Sequence, residues 1–319
     1  MDTDPPSPGD VRRARERVAR AVHHTPLSGS TTLSREVGAP IHLKCEHLQK
    51  TGSFKVRGAL NFMLGLDDQA RARGVVTISA GNHAQATAWA ARRAGVPATV
   101  VMPADASRTK AAASAEYGAD VVLHGTVFEA FRLALDRAED EGLTFVHPFD
   151  DPRILAGQGT VALEILDDLP DVATLVVPIG GGGLCGGIAA ALAERPDIRL
   201  FGVEPEGAAA MRRSLDLGRP VRLDAVDTVA DGLGAPMAGE LTYPLIRDRV
   251  EDVVVVRDRA ITEAMAFLLE RTKQLVEPAG AAGVAALRQG LVPPGPGPVG
   301  VVLSGGNVDL DRLGDLLRP

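Results

Sequence analysis

The sequence has 319 residues, of which 45% are hydrophobic and 24% charged, and its formal net charge is −7. This composition is typical of a folded globular protein, and the acidic balance argues against a nucleic-acid partner, since nucleic-acid-binding domains are usually basic. Two cysteines, Cys45 and Cys185, are too few for a disulfide framework, so we expect a reduced, cytoplasmic setting. Residues 172–193 carry no charge, but glycines and a proline interrupt them, so no membrane span is expected.

The predicted elements begin with a disordered N-terminal tail and a helix capped by Asp10, which ends at Thr25 and Pro26. From residue 74 onward, short apolar segments alternate with helical segments of 10–15 residues. The predicted strands are residues 75–78, 98–102, 121–123, 144–146, 174–179, 199–203, 253–256 and 299–303. The predicted helices are residues 84–94, 107–117, 127–141, 153–168, 185–194, 258–274, 278–289 and 309–318.

This alternation predicts an α/β fold with two doubly wound parallel-sheet domains. One small α/β domain is predicted at residues 50–147. It is inserted in a larger domain made of residues 1–49 and 148–319. The proline-rich segment 293–298 is interpreted as a stiff surface connection before a buried strand.

Four consecutive glycines, residues 180–183, join a predicted strand to a predicted helix. Glycine lets the backbone approach a ligand closely, and the amides at a helix start attract anions, so this loop predicts a phosphate site. The spacing Gly181-x-Gly183-x-x-Gly186 also matches the dinucleotide fingerprint, and Glu204 follows at the distance of a ribose-binding acid. A NAD-dependent dehydrogenase is therefore an open alternative at this point.

Two further polar turns follow predicted strands: Ser79 to His83, and Ser304 to Asn307. Ligands of open α/β sheets bind at the carboxyl ends of strands, so the three turns are expected to converge on one crevice. For the first turn the alternative is a simple helix cap by Ser79 or Asn82.

Lysine is rare in this chain, with five residues against 34 lysines and arginines together. Three of the five lie in KCEHLQKTGSFKVRGALN (residues 44–61). Lys55 opens a predicted helix that Thr51 or Ser53 would cap. The helix dipole disfavours a positive charge at a helix start, so Lys55 is not expected to stabilise this helix. Only lysine provides an amine nucleophile, and a nearby cation such as Arg57 would tune its pKa.

Six motifs occur together in this order: KCEHLQKTGSFKVRGALN, SAGNHAQATAWAA, GGGGLCGG, VEPEGAAAM, VEPAGAAGVAAL and LSGGN. As a set they closely resemble the serine/threonine dehydratases, which are pyridoxal-phosphate (PLP) enzymes of the tryptophan-synthase β fold (fold type II), close to serine racemase. The resemblance covers about residues 20 to 310. It implies the α,β-elimination of water from L-threonine or L-serine, followed by hydrolysis of the dehydrated product to 2-oxobutanoate or pyruvate and ammonia.

The resemblance also implies roles for single residues. Lys55 would form the Schiff base with PLP and act as the general base at Cα. Ser304 would bond the pyridine nitrogen as a neutral hydroxyl, which moderates the ring as an electron sink. The other implied cofactor contacts are Phe54 beside the ring, Asn82 at the ring hydroxyl, and Gly180, Gly181, Gly182, Gly183 and Leu184 at the phosphate. The implied contacts to the substrate carboxylate are Ser79, Gly81 and His83.

Three departures from the family pattern shape the expectations. Ala80 stands where serine racemases carry a second, proton-donating serine, so racemisation is disfavoured. Glu204 is present, but Ala210 replaces the second acid of the family's cation site, so no metal is expected. Because the chain ends at Pro319, no C-terminal regulatory domain is expected. Another hydroxy amino acid, such as 3-hydroxyaspartate, remains an alternative substrate, and a homodimer is expected.

Overall fold

The computed structural model describes residues 4–293 and 295–318. Its strands are β1 (Leu27–Gly29), β2 (Ile41–Lys44), β3 (Val75–Ile78), β4 (Ala98–Met102), β5 (Asp120–Leu123), β6 (Thr144–Phe145), β7 (Thr174–Pro178), β8 (Arg199–Pro205), β9 (Asp252–Val256) and β10 (Val299–Val302). Its α-helices are α1 (Pro8–Val18), α2 (Thr31–Val37), α3 (Lys55–Leu64), α4 (Asp68–Arg73), α5 (Asn82–Ala94), α6 (Arg108–Glu116), α7 (Val127–Asp140), α8 (Pro152–Asp168), α9 (Gly183–Ala191), α10 (Ala210–Leu217), α11 (Thr242–Arg249), α12 (Asp258–Phe267), α13 (Pro278–Arg288) and α14 (Leu310–Leu316).

The strands form two sheets. The larger sheet has the order β1-β2-β10-β7-β8-β9, and the smaller has the order β5-β4-β3-β6. All neighbouring strands run parallel except β1, which pairs antiparallel with β2 at one edge. The predicted α/β fold with parallel sheets is confirmed, and the antiparallel edge strand is an addition that the sequence did not indicate.

Side chains of the central strand β7 alternate between two apolar layers. Leu175 and Val177 pack in the core that contains residues of α8, α9 and α11. Val176, between them, packs in the core that contains residues of α12 and α13. A strand that is buried on both faces needs a continuous apolar sequence, which is why residues 174–179 were recognisable as a strand.

The smaller sheet draws its strands from residues 75–145 alone. All of these residues lie inside the predicted domain at 50–147, and the larger sheet takes its strands from both flanking segments. This distribution supports the predicted division into two domains, which stays a prediction.

Several local predictions need correction. Asp10 does not cap α1, because Ser7 is the N-cap and Asp10 completes its capping box. The helix therefore begins inside the predicted tail, whose residues 1–3 lie outside the described residues, as does Pro294 of the predicted connection. The predicted helix at 258–274 ends as α12 at Phe267 and continues as the π-helical turn Leu268–Thr272. No helix within the described ranges is long and apolar enough to cross a membrane.

A buried group of charges joins α3 to the larger sheet and to α8. The Arg57 guanidinium is fully buried; its Nε donates to Glu46 Oε2 at 2.8 Å and its Nη1 donates to Glu164 Oε1 at 2.6 Å. Lys44 Nζ, also fully buried, lies 2.7 Å from Glu164 Oε2. Burial opposes ionisation of Glu164, but the hydrogen bonds and charge of Arg57 outweigh it and hold the pKa of that carboxyl below its usual range. Two cations thus face two carboxylates inside the protein.

Two glycines let α3 and α8 approach closely beside this group of charges. A Cβ at Gly157 would lie 2.5 Å from Gly58 Cα, and a Cβ at Gly58 would lie 2.7 Å from the carbonyl oxygen of Ile154. Any larger residue at either position would push the helices apart. The short separation keeps Arg57 within hydrogen-bond distance of Glu164.

We expect Glu164→Gln to lower the free energy of unfolding by about 3–5 kcal/mol, because it leaves Arg57 and Lys44 buried with one carboxylate too few. Urea unfolding measures the change. Glu263→Gln is the matched control, since the Arg259–Glu263 pair is exposed and worth about 1 kcal/mol or less. Equal losses in the two variants would contradict the structural importance of the buried group.

Candidate active site

The Lys55 amine lies at the start of α3, between the two sheets. Its Nζ donates to the carbonyl oxygen of Pro148 at 2.9 Å and lies 5.3 Å from the centroid of the Phe54 ring. The backbone before it is tied to the turn after β10, because Phe54 N donates to Ser304 O at 3.1 Å. Two main-chain carbonyl oxygens, those of Pro148 and Ser304, thus hold the Lys55 side chain and the backbone just before it.

Burial lowers the pKa of Lys55 to about 8, and the negative charge of Glu277 partly opposes this shift. Arg57, which the sequence suggested as a tuning charge, is instead paired with Glu46 and Glu164. The unprotonated, nucleophilic form of the Lys55 amine is therefore far more populated near neutral pH than that of an ordinary lysine.

The predicted capping of α3 by Thr51 or Ser53 is wrong. The N-cap position belongs to Phe54, and no side chain caps the helix. Thr51 and Gly52 both have left-handed backbone conformations, with φ of 56° and 72°, and this bend brings Ser53 into a bridge with Gly305. The hydroxyls of Thr51 and Ser53 are buried without a hydrogen-bond partner among the described residues.

The four glycines form the connection from β7 to α9. Gly182 has φ of 94°, and its carbonyl oxygen accepts from Gly186 N at 2.7 Å as the helix begins. The first amides of α9, those of Gly183, Leu184 and Cys185, have no acceptor within the helix. Such amides, at the positive end of the helix dipole, suit a phosphate group.

Phe149 packs over this glycine loop. A Cβ at Gly181 would lie 2.4 Å from its ring atoms, and a Cβ at Gly183 would lie 2.9 Å from its Cβ. Because Phe149 follows Pro148, one short segment contacts both the lysine amine and the loop. His147 shapes that segment, since its Nδ1 accepts the backbone N–H groups of Phe149 at 3.2 Å and Asp150 at 2.8 Å. Sequence reasoning assigned no role to Phe149; the only signal was its place in the short connection after the predicted strand at 144–146.

The turn after β3 leads into α5, whose N-cap is Gly81 rather than Ser79 or Asn82. Ser79 Oγ accepts from Gly81 N at 3.1 Å and so shapes the turn. The amides of Asn82 and His83 lie in the first turn of α5, where the helix itself offers them no acceptor. They are available to a carboxylate.

His83 is buried beside the lysine. Burial, followed by the positive charge of Lys55, lowers the pKa of His83 to about 3, so the ring is neutral. Its Nε2 lies 3.3 Å from the carbonyl oxygen of Val146, which is an acceptor only, so Nε2 carries the proton. Nδ1, which has no partner among the described residues, is then an acceptor and does not donate to a carboxylate.

The turn after β10 meets the turn after β3 directly. Asn307 Nδ2 donates to Asn82 Oδ1 at 2.8 Å, and Asn82 Nδ2 donates to Glu277 Oε1 at 2.7 Å. Ser304, which begins the turn, is only 3% exposed. Neither Glu277 nor Asn307 was predicted as a site residue, although both belong to motifs that carry the family resemblance, VEPAG and SGGN.

Two other residues singled out in the sequence have structural environments. The oxygens of Glu204 accept the backbone N–H groups of Met211 at 2.8 Å and Arg212 at 2.7 Å, so this carboxyl caps α10. Burial raises the pKa of Glu204 to about 8, and burial also raises the pKa of the Cys185 thiol. Within residues 4–293 and 295–318, no group of three or more His, Cys, Asp or Glu residues could hold a metal ion.

The sequence profile of the family described as "Pyridoxal-phosphate dependent enzyme" matches residues 18–305. The chain belongs to this family. Its cofactor is therefore pyridoxal 5'-phosphate, and the resemblance seen in the motifs is confirmed. Membership also removes the dinucleotide alternative, so the match of Gly181, Gly183 and Gly186 to that fingerprint is coincidental.

Relatives of several activities resemble this PLP enzyme. It is 48% identical to L-threonine ammonia-lyase of Geobacter sulfurreducens over 95% of this chain and 76% of the relative. It is 43% identical to L-threo-3-hydroxyaspartate ammonia-lyase of a Pseudomonas species over 97% of this chain and 98% of the relative. The solved structure of maize serine racemase matches with a TM-score of 0.93 and 40% identity, over 97% of this chain and 96% of that one.

We expect the rate at which the cofactor-free enzyme captures added PLP to rise with pH, to be half-maximal near pH 8 and to level off about one pH unit above that. Only the unprotonated Lys55 amine attacks the aldehyde, and burial places the pKa of that amine at about 8. The growth of visible absorption measures the rate. Nα-acetyl-lysine is the control, because its amine titrates at about 10.4. A capture rate that is still rising above pH 9.5 would contradict the lowered pKa.

We expect Gly181→Ala to raise the PLP dissociation constant by roughly tenfold or more, because the new Cβ would displace the Phe149 ring or the loop amides. Equilibrium titration of the cofactor-free protein measures the constant. Gly314→Ala is the matched control, since a Cβ there would meet nothing within 4 Å. Unchanged affinity in Gly181→Ala would show that the loop does not hold the phosphate.

Proposed function

We propose that this chain is a PLP-dependent ammonia-lyase that converts L-threonine or L-serine to 2-oxobutanoate or pyruvate and ammonia. The observation that carries the proposal is the Lys55 amine. It is hydrogen-bonded to the neutral carbonyl of Pro148 rather than to a carboxylate, and its pKa is lowered to about 8. The identity to L-threonine ammonia-lyase supports the choice of reaction.

The chemistry of the surrounding donors fits the cofactor. Lys55 would hold its aldehyde carbon. The loop from Gly180 to Leu184 would hold its phosphate through backbone amides. Asn82 would meet its ring oxygen and Ser304 its ring nitrogen, with Phe54 beside the ring. The buried, unpartnered hydroxyl of Ser53 is consistent with a polar group that occupies this crevice.

When bound, the cofactor withdraws electrons from the substrate Cα and so acidifies the Cα proton. Lys55, freed from the cofactor by the substrate amine, would take that proton as general base. A pKa near 8 suits an amine that both accepts and returns a proton near neutral pH. The Ser304 hydroxyl is neutral, and it would leave the ring nitrogen largely unprotonated.

Backbone amides would hold the substrate carboxylate. The N–H groups of Asn82 and His83 begin α5 without an acceptor in the helix. The Ser79 hydroxyl and the Gly81 N–H, here hydrogen-bonded to each other, lie in the same turn. The positive end of the helix dipole favours the carboxylate there. Because the His83 ring is neutral and donates to Val146, we assign the contact of His83 to its backbone N–H rather than to its side chain.

Two alternatives concern the same site. Racemisation needs a proton donor on the cofactor face opposite Lys55, and Ala80 provides none, which disfavours a serine racemase. 3-Hydroxyaspartate differs from threonine in carrying a carboxylate in place of the methyl group, and comparing kcat/KM for the two substrates in the 2-oxo acid assay would rank them. A homodimer and a cytoplasmic setting also stay predictions; the two free, buried cysteines are consistent with the latter.

We expect Lys55→Ala to lose the visible absorption of the lysine-linked cofactor and to lower 2-oxo acid formation from L-threonine by roughly 10²–10⁴-fold or more. Absorption spectra and a 2-oxo acid assay measure both. Lys50→Ala, in the same segment, is the control and keeps both properties. Visible absorption without product from threonine, serine or 3-hydroxyaspartate would refute the lyase assignment.

A further inference from the structure

A chain of side-chain hydrogen bonds crosses the site and joins four separate segments. Asn307 Nδ2 donates to the carbonyl oxygen of Thr51 at 2.6 Å and to Asn82 Oδ1 at 2.8 Å. Asn82 Nδ2 in turn donates to Glu277 Oε1 at 2.7 Å. The segments are the bend before Lys55, the start of α5, the N-cap of α13 and the turn after β10.

The direction of this chain is fixed from the Thr51 end. The Thr51 carbonyl is an acceptor only, so the Asn307 nitrogen must face it. The Asn307 amide therefore donates both of its N–H groups, one to the Thr51 carbonyl oxygen and one to Asn82 Oδ1. If the Asn82 amide were flipped, its nitrogen would face the Asn307 nitrogen and its oxygen would face the Glu277 carboxyl oxygen. In the observed orientation one N–H of Asn82 is left without an acceptor in the described part of the chain.

Two glycines make room for the network. A Cβ at Gly305 would lie 2.4 Å from Glu277 Oε1 and 3.1 Å from Asn82 Nδ2. A Cβ at Gly52 would lie 2.5 Å from Asn307 Oδ1, and Gly52 has a left-handed φ of 72°. The same glycines stand in the segments that flank Lys55 and Ser304, so the network and the cofactor crevice share their walls.

Glu277 has the character of a functional group rather than a stabilising one. It is 7% exposed, and no lysine or arginine lies within ion-pair distance of it among residues 4–293 and 295–318. Burial raises the pKa of Glu277 to about 7, against the opposing effect of its hydrogen bond with Asn82. An unpaired buried carboxyl destabilises a fold, so its presence beside the crevice calls for another role.

We propose that Glu277 and Asn307 are positioning residues that hold the Asn82 amide so that it offers an N–H, and not its carbonyl oxygen, to the ring oxygen of PLP. A donor at that point stabilises the ionised ring oxygen, and a carbonyl would favour the protonated one. The proposal rests on the proposed function only in placing Asn82 at the ring oxygen.

The test is a set of double-mutant cycles read by PLP binding and by the visible spectrum of the loaded enzyme as a function of pH. In the parent protein, Glu277→Ala and Asn307→Ala are each expected to raise the PLP dissociation constant roughly tenfold and to shift the ring-oxygen titration to higher pH. In the Asn82→Ala background the same changes are expected to have less than about a twofold effect. Glu277→Gln, which keeps an acceptor oxygen, is expected to retain most of the affinity.

Three results would overturn the proposal. One is an equal loss of affinity with and without the Asn82 side chain. Another is a Glu277→Gln variant as impaired as Glu277→Ala. The last is a pair of observations: the cofactor-free variants unfold at a lower midpoint, and the spectral titration of the loaded variants does not shift. That pair would show a purely structural role. If Asn307→Ala is insoluble, Asn307→Ser replaces it in the cycle.

These readouts need no substrate. A failure of the lyase assignment, seen as loaded enzyme without 2-oxo acid, would leave the cycles interpretable. A failure of the cycles would likewise leave the role of Lys55 untouched.

Discussion

One buried guanidinium, that of Arg57, holds the helix that begins at Lys55 to the rest of the molecule. It bridges Glu46, just after β2, and Glu164, on α8, and none of the three side chains is more than slightly exposed. Buried charges are tolerated only when each is paired with good geometry, so small displacements of α3 are strongly opposed. Lys55 lies two residues before Arg57 on the same helix, and its position relative to Pro148 and the glycine loop follows from this constraint.

Two cations on one helical turn have opposite surroundings, and the difference is chemically useful. Arg57 takes the nearby carboxylates, so its charge is neutralised and its pKa raised. Lys55 is left with a neutral carbonyl and the start of a helix, where the dipole disfavours a positive charge. The ion pairs that stabilise the fold thus leave Lys55 without an adjacent counter-ion, and burial lowers the pKa of its amine. The negative charge of Glu277, farther away, limits this lowering of the pKa, so the Lys55 amine still titrates near physiological pH.

Long apolar periodic segments made most of the fold predictable. The strands from β3 to β10 and the helices between them match the predicted segments within a few residues, because buried parallel strands must be continuously apolar. Six elements were not predicted, since each is too short to show a clear period: β1, β2, α2, α4, α10 and α11. Within the site, Lys55 and the glycine turns were recognisable from residue type. Glu277 and Phe149 were not, because only the folded chain brings them beside those turns. Asn307 was recognised as part of a turn but not as a partner of Asn82.

The glycines that made the motifs recognisable are needed for contacts between segments rather than for the fold class. Gly58 and Gly157 set the distance between α3 and α8, Gly181 admits the Phe149 ring, and Gly305 admits the Glu277 carboxyl. At each of these positions a methyl group would collide with a neighbouring segment that also touches the site. An α/β fold does not in general require glycine at such contacts, so the parallel sheets could be predicted from the apolar segments alone. The set of glycines, by contrast, is determined by the close approach of backbones around one lysine, and this is why it identifies a reaction chemistry as well as an architecture.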